Sequence, residues 1–317
     1  MRCFAVAALG LVVAAATAKD DSDSSDSSDA DSSSCDGRIL SGRRRDWRVP
    51  PGGVEKQLPP RWDGLSASER REFTRCGAIP VDTGMFVDDS FGGEGSHYRY
   101  SRRDVDGDQA AARRDSGFVA TALRKHVARG SSVLVVGSIT PRREALCLDL
   151  GAARTTTVDY NRIDFEHPQT RTLTVDELAD SDETFDLILA DSSLDHDGLG
   201  RYGDPIAPDA DLVAMDALRR RLGPGGKLLL SVPVGPDLLA FNLMRIYGPL
   251  RLPLLLEGFD VLDTIGHDEA ILHRPVANHR RTHEPVFVLQ ATETEGGGNQ
   301  SNDHPLEEQQ RNDDAEL

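Results

Sequence analysis

The sequence predicts an α/β fold: a seven-stranded, mostly parallel sheet with helices on both faces. Three runs predict it. Residues 132–136 (SVLVV) form an apolar stretch ending at Gly137, residues 154–158 end at Asp159, and residues 185–190 (FDLILA) end at Asp191. Short, largely apolar runs separated by helical segments suit parallel strands covered on both faces. In open α/β sheets ligands sit beyond the carboxyl ends of the strands. Gly137, Asp159 and Asp191 therefore fall on the candidate site edge.

Each element follows from local signals. Residues 66–75 (SASERREFTR) start like a capping box and read as a short helix. Residues 85–103 read as a loop carrying His97, Tyr98 and Tyr100. Residues 109–127 read as one helix leading into the first strand. After that strand, Thr140 is placed to cap a helix over 141–150, with Pro141 at its first position and Gly151 at its end. Strand 154–158 completes a βαβ unit, with an acid roughly 20 residues after the turn. Beyond strand 185–190, Leu212, Met215, Leu218 and Leu222 recur at helical spacing, and the glycine-proline turn 223–226 stops that helix. Residues 227–232 read as the next strand and 236–246 as a helix bearing Leu238, Leu239, Phe241, Leu243 and Met244. Residues 259–265 and 285–290 read as the last two strands, and 267–284 as a loop over the site or the edge.

The flanks differ in composition. Over the 317 residues hydrophobic content is 38% and aromatic content 5%, which predicts polar tails around a smaller core. Met1-Arg2, the apolar run 4–16 and Ala16-Thr17-Ala18 have the layout of a signal peptide over residues 1–18. The apolar run is shorter than the roughly 20 residues a spanning helix needs. The expectation is a mature chain in the secretory-pathway lumen or outside the cell, with no stable membrane span. Residues 19–37 are serine and aspartate of low complexity and are expected to be disordered. Residues 38–103 are expected to be a linker and N-terminal extension, 104–292 the folded domain, and 293–317 a polar disordered tail. Asn299-Gln300-Ser301 is a glycosylation sequon, usable only in that pathway. A net charge of -17 repels phosphate and argues against nucleic-acid partners and anionic membrane surfaces. Once Cys3 leaves with the signal peptide, Cys35 and Cys76 are the candidates for one disulfide, and Cys147 reads as a buried small hydrophobe. No group has zinc-ligand spacing, so no metal site is expected.

Several residues on the edge can carry chemistry. Asp159 suits a ribose, because two carboxylate oxygens match two vicinal hydroxyl donors. Gly137 permits close backbone approach, and Ser138, Tyr160 and Asp191 join it as candidate cofactor-binding residues. His196 is a candidate general base. Asp195 and Asp197 flank it and are expected to raise its pKa and orient its ring. The alternative is a structural histidine that fixes the loop. Gly198, Gly200 and Gly203 frame Arg201 and Tyr202, which suits either a loop closing over a ligand or a tightly turned structural loop. In the first case Arg201 binds a carboxylate or phosphate and Tyr202 stacks on a ring. Arg245 and Tyr247 follow the fifth strand and complete the candidate acceptor-binding set. Residues 251–258 read as structural.

The stretch 183–236, with its FDLI strand, LxH loop and LGPGG turn before LLLS, resembles the second half of class I S-adenosylmethionine-dependent methyltransferases, a Rossmann-like fold. That resemblance implies S-adenosylmethionine as cofactor and an antiparallel closing pair for the last two strands. The segments VVGSITPRREALCLDLGA, TTVDYN, SSLDHDGLGRYGDP, LGPGGKLLLSVPVGPD and NLMRIYGPLRLPLL resemble a narrower group, the Caenorhabditis protein of unknown function family. The chain departs from it at Arg142, where the family has an aromatic, and at Asp195, where it has glutamate. The single-glycine turn at Gly137 is a trait of that family. The functional expectation is a secretory-pathway methyltransferase acting on a small molecule, sugar or protein. The alternatives are a non-catalytic ligand- or carbohydrate-associated module on the same fold, and a nucleotide-sugar-binding enzyme.

Overall fold

In the computed structural model the structure describes residues 59–90, 96–274 and 282–292. The expected signal peptide, the segment 19–37, residues 38–58 and 91–95 of the linker and extension, Asn299 and the tail 293–317 lie outside the described residues. Seven strands form the main sheet: β3 (Ser132–Val136), β4 (Arg154–Val158), β6 (Thr170–Leu173), β7 (Phe185–Asp191), β8 (Leu222–Ser231), β11 (Phe259–Ile265) and β12 (Val286–Ala291). Their spatial order is β11-β12-β8-β7-β3-β4-β6. The strands from β6 to β8 are parallel, and β12 runs antiparallel to both β8 and β11. This is the mostly parallel, Rossmann-like sheet expected from the sequence, with its closing antiparallel pair.

Side-chain alternation along these strands builds two cores. Leu134, Val136, Ile188, Ala190, Leu228 and Leu230 face one way. They pack against α5 (Val175–Asp180), α6 (Ala210–Arg220) and α7 (Arg251–Leu255). Val133, Val135, Leu187, Leu189 and Leu229 face the other way, toward α2 (Arg102–Ala112), α3 (Phe118–His126) and α4 (Arg142–Asp149). All five residues of β3 are buried, as a central parallel strand requires.

Four local expectations are corrected. The single helix over 109–127 is two helices, α2 and α3, and Asp115 accepts from the Gly117 amide in the bend between them. The loop 85–103 contains β2 (His97–Tyr100), which pairs with β5 (Arg162–Phe165). Pro141 stands before α4 rather than inside it, and Thr140 does not cap it. The helix expected over 236–246 is a hairpin of β9 (Leu238–Ala240) and β10 (Met244–Ile246). Its cause is tertiary. Leu239 and Phe241 donate their amides to the Pro80 and Asp82 carbonyls, so β1 (Val81–Asp82) claims the segment as a strand.

The N-terminal extension therefore packs onto the carboxyl edge of the main sheet. The short helix α1 (Ala67–Phe73) has the expected capping box between Ser66 and Glu69. Its Phe73 meets Trp62 and Phe241, with ring centroids 6.2 and 5.8 Å away. Leu65, Ile79, Leu199 and Leu239 complete that cluster. Cys76, just after α1, is disulfide-bonded, whereas Cys147 is free and buried. Among the described residues no helix is long and apolar enough to cross a membrane.

Candidate functional site

The carboxyl ends of β3, β4 and β7 converge as expected, and the turn after β3 is open-backboned. Gly137 has a φ of 72° and donates its amide to the Val158 carbonyl at 3.0 Å. A side chain at that φ would be strained. Ser138 is buried, with its Oγ 2.9 Å from the Thr140 carbonyl and 3.3 Å from Glu144 Oε2.

Asp159 ends β4 and is 3% exposed. Its Oδ1 accepts from the Asn161 amide at 2.7 Å and from Asn161 Nδ2 at 2.9 Å. Its Oδ2 is buried and has no protein partner. A buried, unpaired polar atom costs free energy, so its presence calls for a function or an unseen partner. Burial, with a smaller push from Glu144, raises this carboxyl to about 7. Tyr160 is half-buried. Its hydroxyl reaches the Ser90 carbonyl at 3.4 Å, and its ring lies 6.2 Å from that of Tyr202. Asp191 pairs with Arg143, whose Nε and Nη2 lie 2.8 Å from its Oδ2.

The loop after β7 differs from the sequence expectation. His196 is 4% exposed, and its Nδ1 lies 2.6 Å from the Leu243 carbonyl, which identifies Nδ1 as the donor. Nε2 is 3.4 Å from Asp195. Burial first, and then the charge of Arg201, push the imidazole down to about 3. The flanking carboxylates do not raise it. Burial instead lifts Asp195 to about 7 and Asp197 well above the usual carboxylate range, so these neighbours are poor counter-charges. His196 is thus a neutral, interior hydrogen-bonder. Both carboxylate oxygens of Asp195 and of Asp197, and Ser193 Oγ, are buried without a hydrogen-bond partner.

Arg201 and Tyr202 are also interior. Arg201 is 3% exposed, and its Nε and Nη2 hold Asp89 Oδ2 at 2.7 Å. Tyr202 packs edge-on against His196 and beside Ile139 and Tyr160. The Gly198–Gly203 loop is the tightly turned one. A Cβ on Gly198 would sit 2.1 Å from the Ala207 carbonyl oxygen. Asp204 staples the loop by accepting the amides of Gly200 and Tyr202.

Arg245 and Tyr247 are corrected in the same way. Arg245 donates Nη1 to the Asp197 carbonyl at 2.5 Å and Nη2 to that of Pro208 at 3.1 Å. Tyr247 donates to Asp211 Oδ2 at 3.0 Å. Asp211 is fully buried and also holds Arg251, whose Nε is 2.9 Å away. Burial would raise Asp211, but Arg245 and Arg251 outweigh it and hold the carboxyl near 2. These groups join α6 to β10 and α7. None of the four expected acceptor-binding side chains faces open solvent.

Three contributions escaped the sequence reading. Segment 87–90 crosses the edge as a strap. Val87 exchanges two hydrogen bonds with the Asn242 side chain, Asp89 donates its amide to the Arg201 carbonyl, and Ser90 meets Tyr160. Glu144 is a fully buried carboxyl beneath the β3 turn. Glu284, in the segment before β12, is raised by burial and by Asp195 and Asp191, and it bonds Ser192. Ser192 has a φ of 50°, a strained value for a residue with a side chain. An Asn-like turn residue or a glycine would have flagged that position, but serine does not. A shallow pocket lined by Arg154, Thr155, Gln169, Thr170, Arg171 and Glu183 lies at the amino-terminal edge, away from this chemistry.

The model of the Caenorhabditis protein of unknown function family, DUF268, matches residues 130–291, half of the chain. The chain belongs to that family. The matched span covers β3 to β12 and carries every segment that suggested the family from sequence. No curated protein matches the chain. Among solved structures, a Burkholderia thailandensis 1,6-didemethyltoxoflavin-N1-methyltransferase with bound S-adenosylhomocysteine is 24% identical. The alignment covers 60% of this chain and 82% of that one, at a TM-score of 0.42. A TehB-like S-adenosylmethionine-dependent methyltransferase from Corynebacterium glutamicum is 18% identical over 59% and 94% of the two chains, at 0.39. An S-adenosylmethionine-dependent methyltransferase from Mesorhizobium loti is 14% identical over 55% and 98%, at 0.37.

Proposed function

We propose that this member of the family is an S-adenosylmethionine-dependent methyltransferase of the secretory pathway, acting on a small-molecule, sugar or protein acceptor. One observation carries the reading. At the carboxyl edge of a methyltransferase-like sheet, Asp159 keeps one oxygen buried and unpaired, next to a turn opened by Gly137. Those residues fit the cofactor. Asp159 would accept from the ribose hydroxyls, and the Gly137–Ser138 backbone would approach its amino-acid end. The cofactor supplies the methyl group. The chain's own residues orient it and exclude water through the 87–90 strap. The signal-peptide layout of residues 1–18 and the disulfide at Cys76 support the compartment.

Titration calorimetry with S-adenosylhomocysteine tests the site. Binding is expected for the wild type, and no heat at millimolar ligand would sink the reading. N-terminal sequencing of protein from its native host tests the compartment, with Lys19 as the expected first residue. An intact Met1 on soluble cytosolic protein would refute it.

A second reading has its own support. His196 is neutral and interior, and Arg201, Tyr202, Arg245 and Tyr247 are committed to protein partners. That favours a non-catalytic module which binds the nucleoside but lacks a base. Cofactor binding without turnover on panels of sugars, lipids, peptides and metabolites would make it the better account.

A further inference from the structure

Glu144 is a buried carboxyl beneath the candidate cofactor edge. It is 0% exposed and projects from α4 between the β3 turn and β4. Thr157 Oγ1 donates to its Oε1 at 2.6 Å. Its Oε2 meets Ser138 Oγ at 3.3 Å, while the same Oγ lies 2.9 Å from the Thr140 carbonyl. A serine hydroxyl carries one hydrogen. The carbonyl can only accept, so the shorter contact takes that hydrogen. Ser138 can give that one hydrogen fully to only one of the two acceptors, and a proton on Glu144 Oε2, donated back to Ser138, would satisfy both contacts. Thr157 lies two residues before Asp159, so the same carboxyl joins the turn to the strand that presents the diol receptor.

We propose that Glu144 is a positioning residue, held as a neutral acid, that ties the Gly137–Thr140 turn to β4 and leaves the negative charge of the pair on Asp159, which faces a diol-bearing nucleoside. This rests on the function proposed above and deepens it. The groups around the pair are few. Glu144 faces Ser138 in the turn, Thr157 on β4, and Arg143 and Cys147 on its own helix; Asp159 faces Asn161 and Glu144. Arg143 is committed to Asp191 and Asp115. No cation among the described residues bonds either carboxyl, so ionising both would set two like charges in a buried space. Burial raises Glu144, like Asp159, to about 7, which is consistent with one proton shared by the pair.

Glu144→Gln tests this, because a glutamine amide can accept from Thr157 and donate to Ser138 as the neutral acid does, and cannot ionise. Affinity for S-adenosylhomocysteine is measured by calorimetry for both proteins between about pH 6 and about pH 9. Comparing the two proteins at each pH cancels the ligand's own titration. The wild-type Kd is expected to worsen relative to the variant by about tenfold across that range, the equivalent of one pKa unit. The variant should melt close to the wild type, and a protonated-carboxyl infrared band at neutral pH should weaken in it. A constant Kd ratio, a Glu144→Gln protein that does not fold, or an unchanged infrared band would each overturn the inference. If the wild type binds no S-adenosylhomocysteine, the methyltransferase reading falls. The infrared band and the melt then still decide whether Glu144 is a neutral tie.

Discussion

Two loops leave the same sheet edge, and they treat their polar residues in opposite ways. After β4, the chain spends one oxygen of Asp159 on Asn161 and leaves the other buried without a hydrogen-bond partner. After β7, it gathers most of the residues that looked chemical and turns them inward. His196 bonds the Leu243 carbonyl, Arg201 holds Asp89, and Arg245 reaches three backbone carbonyls. The difference shows that residue type alone does not mark a site. A buried arginine or histidine with protein partners holds loops in place; unpaired carboxylate oxygens occur in both loops, and the one on Asp159 is set apart by its place beside the Gly137 turn at the strand ends.

The strongest test removes the ionic centre behind the β7 loop. Asp211→Ala leaves Arg251 and Arg245 buried without their carboxylate, and loss of one partner from such a pair costs about 3–5 kcal/mol. Urea denaturation should show that loss. The sign of its pH dependence follows from the depressed carboxyl. The stabilisation is fully present above the unfolded value of about 4 and disappears as pH falls toward 2. A wild-type protein whose stability holds flat down to that pH would break the account.

Asp159→Ala addresses the other loop. It should weaken S-adenosylhomocysteine binding by about 1.5–3 kcal/mol, the range for hydrogen bonds to a charged group. Its melting temperature should fall only modestly, because the acceptor of the two Asn161 bonds is lost together with an unpaired buried oxygen. Lower stability with unchanged affinity would place Asp159 on the structural side.

His196→Ala sharpens the contrast. The Leu243 carbonyl loses its imidazole donor, so stability should drop by about 1–3 kcal/mol while cofactor affinity stays the same. A stable variant that binds cofactor but loses turnover would restore His196 as a base.

The smallest effect concerns Asp195, raised to about 7 by burial. The folded state binds this proton more tightly than the unfolded chain. Stability from this group is therefore fully present below about pH 4 and is lost as pH rises toward 7. Asp195→Asn removes that loss, so its stability advantage over wild type should grow between about pH 5 and about pH 8. An advantage that is constant with pH would show Asp195 to be ionised throughout.

Much of the main sheet was legible because its signals are local. β3 and the apolar core of β7 read as strands from five or six residues each, and the capping box at Ser66 needs only Glu69 three positions on. Gly137 and Asp159 were legible because strand ends fix where the site edge falls. The hairpin at 238–246 was not, because its apolar run has neither period and a distant segment, β1, supplies the partner that decides it. Glu144 fell inside the helix expected over 141–150 and was not singled out, since nothing nearby in sequence shows that Thr157 and Ser138 meet it.

The sequence by itself determined six strands of the main sheet, the helices α1, α4 and α6, the edge where ligands belong and the family. Those depend on spacing, chain-local hydrogen bonds and the alternation of apolar residues. Only the tertiary structure decided which charges are spent and which are free. Burial and pairing depend on residues over a hundred positions apart, such as Asp89 with Arg201 or Val87 with Asn242. The electrostatic work of a side chain is set by what surrounds it after folding, and a linear pattern of residue types does not carry that information.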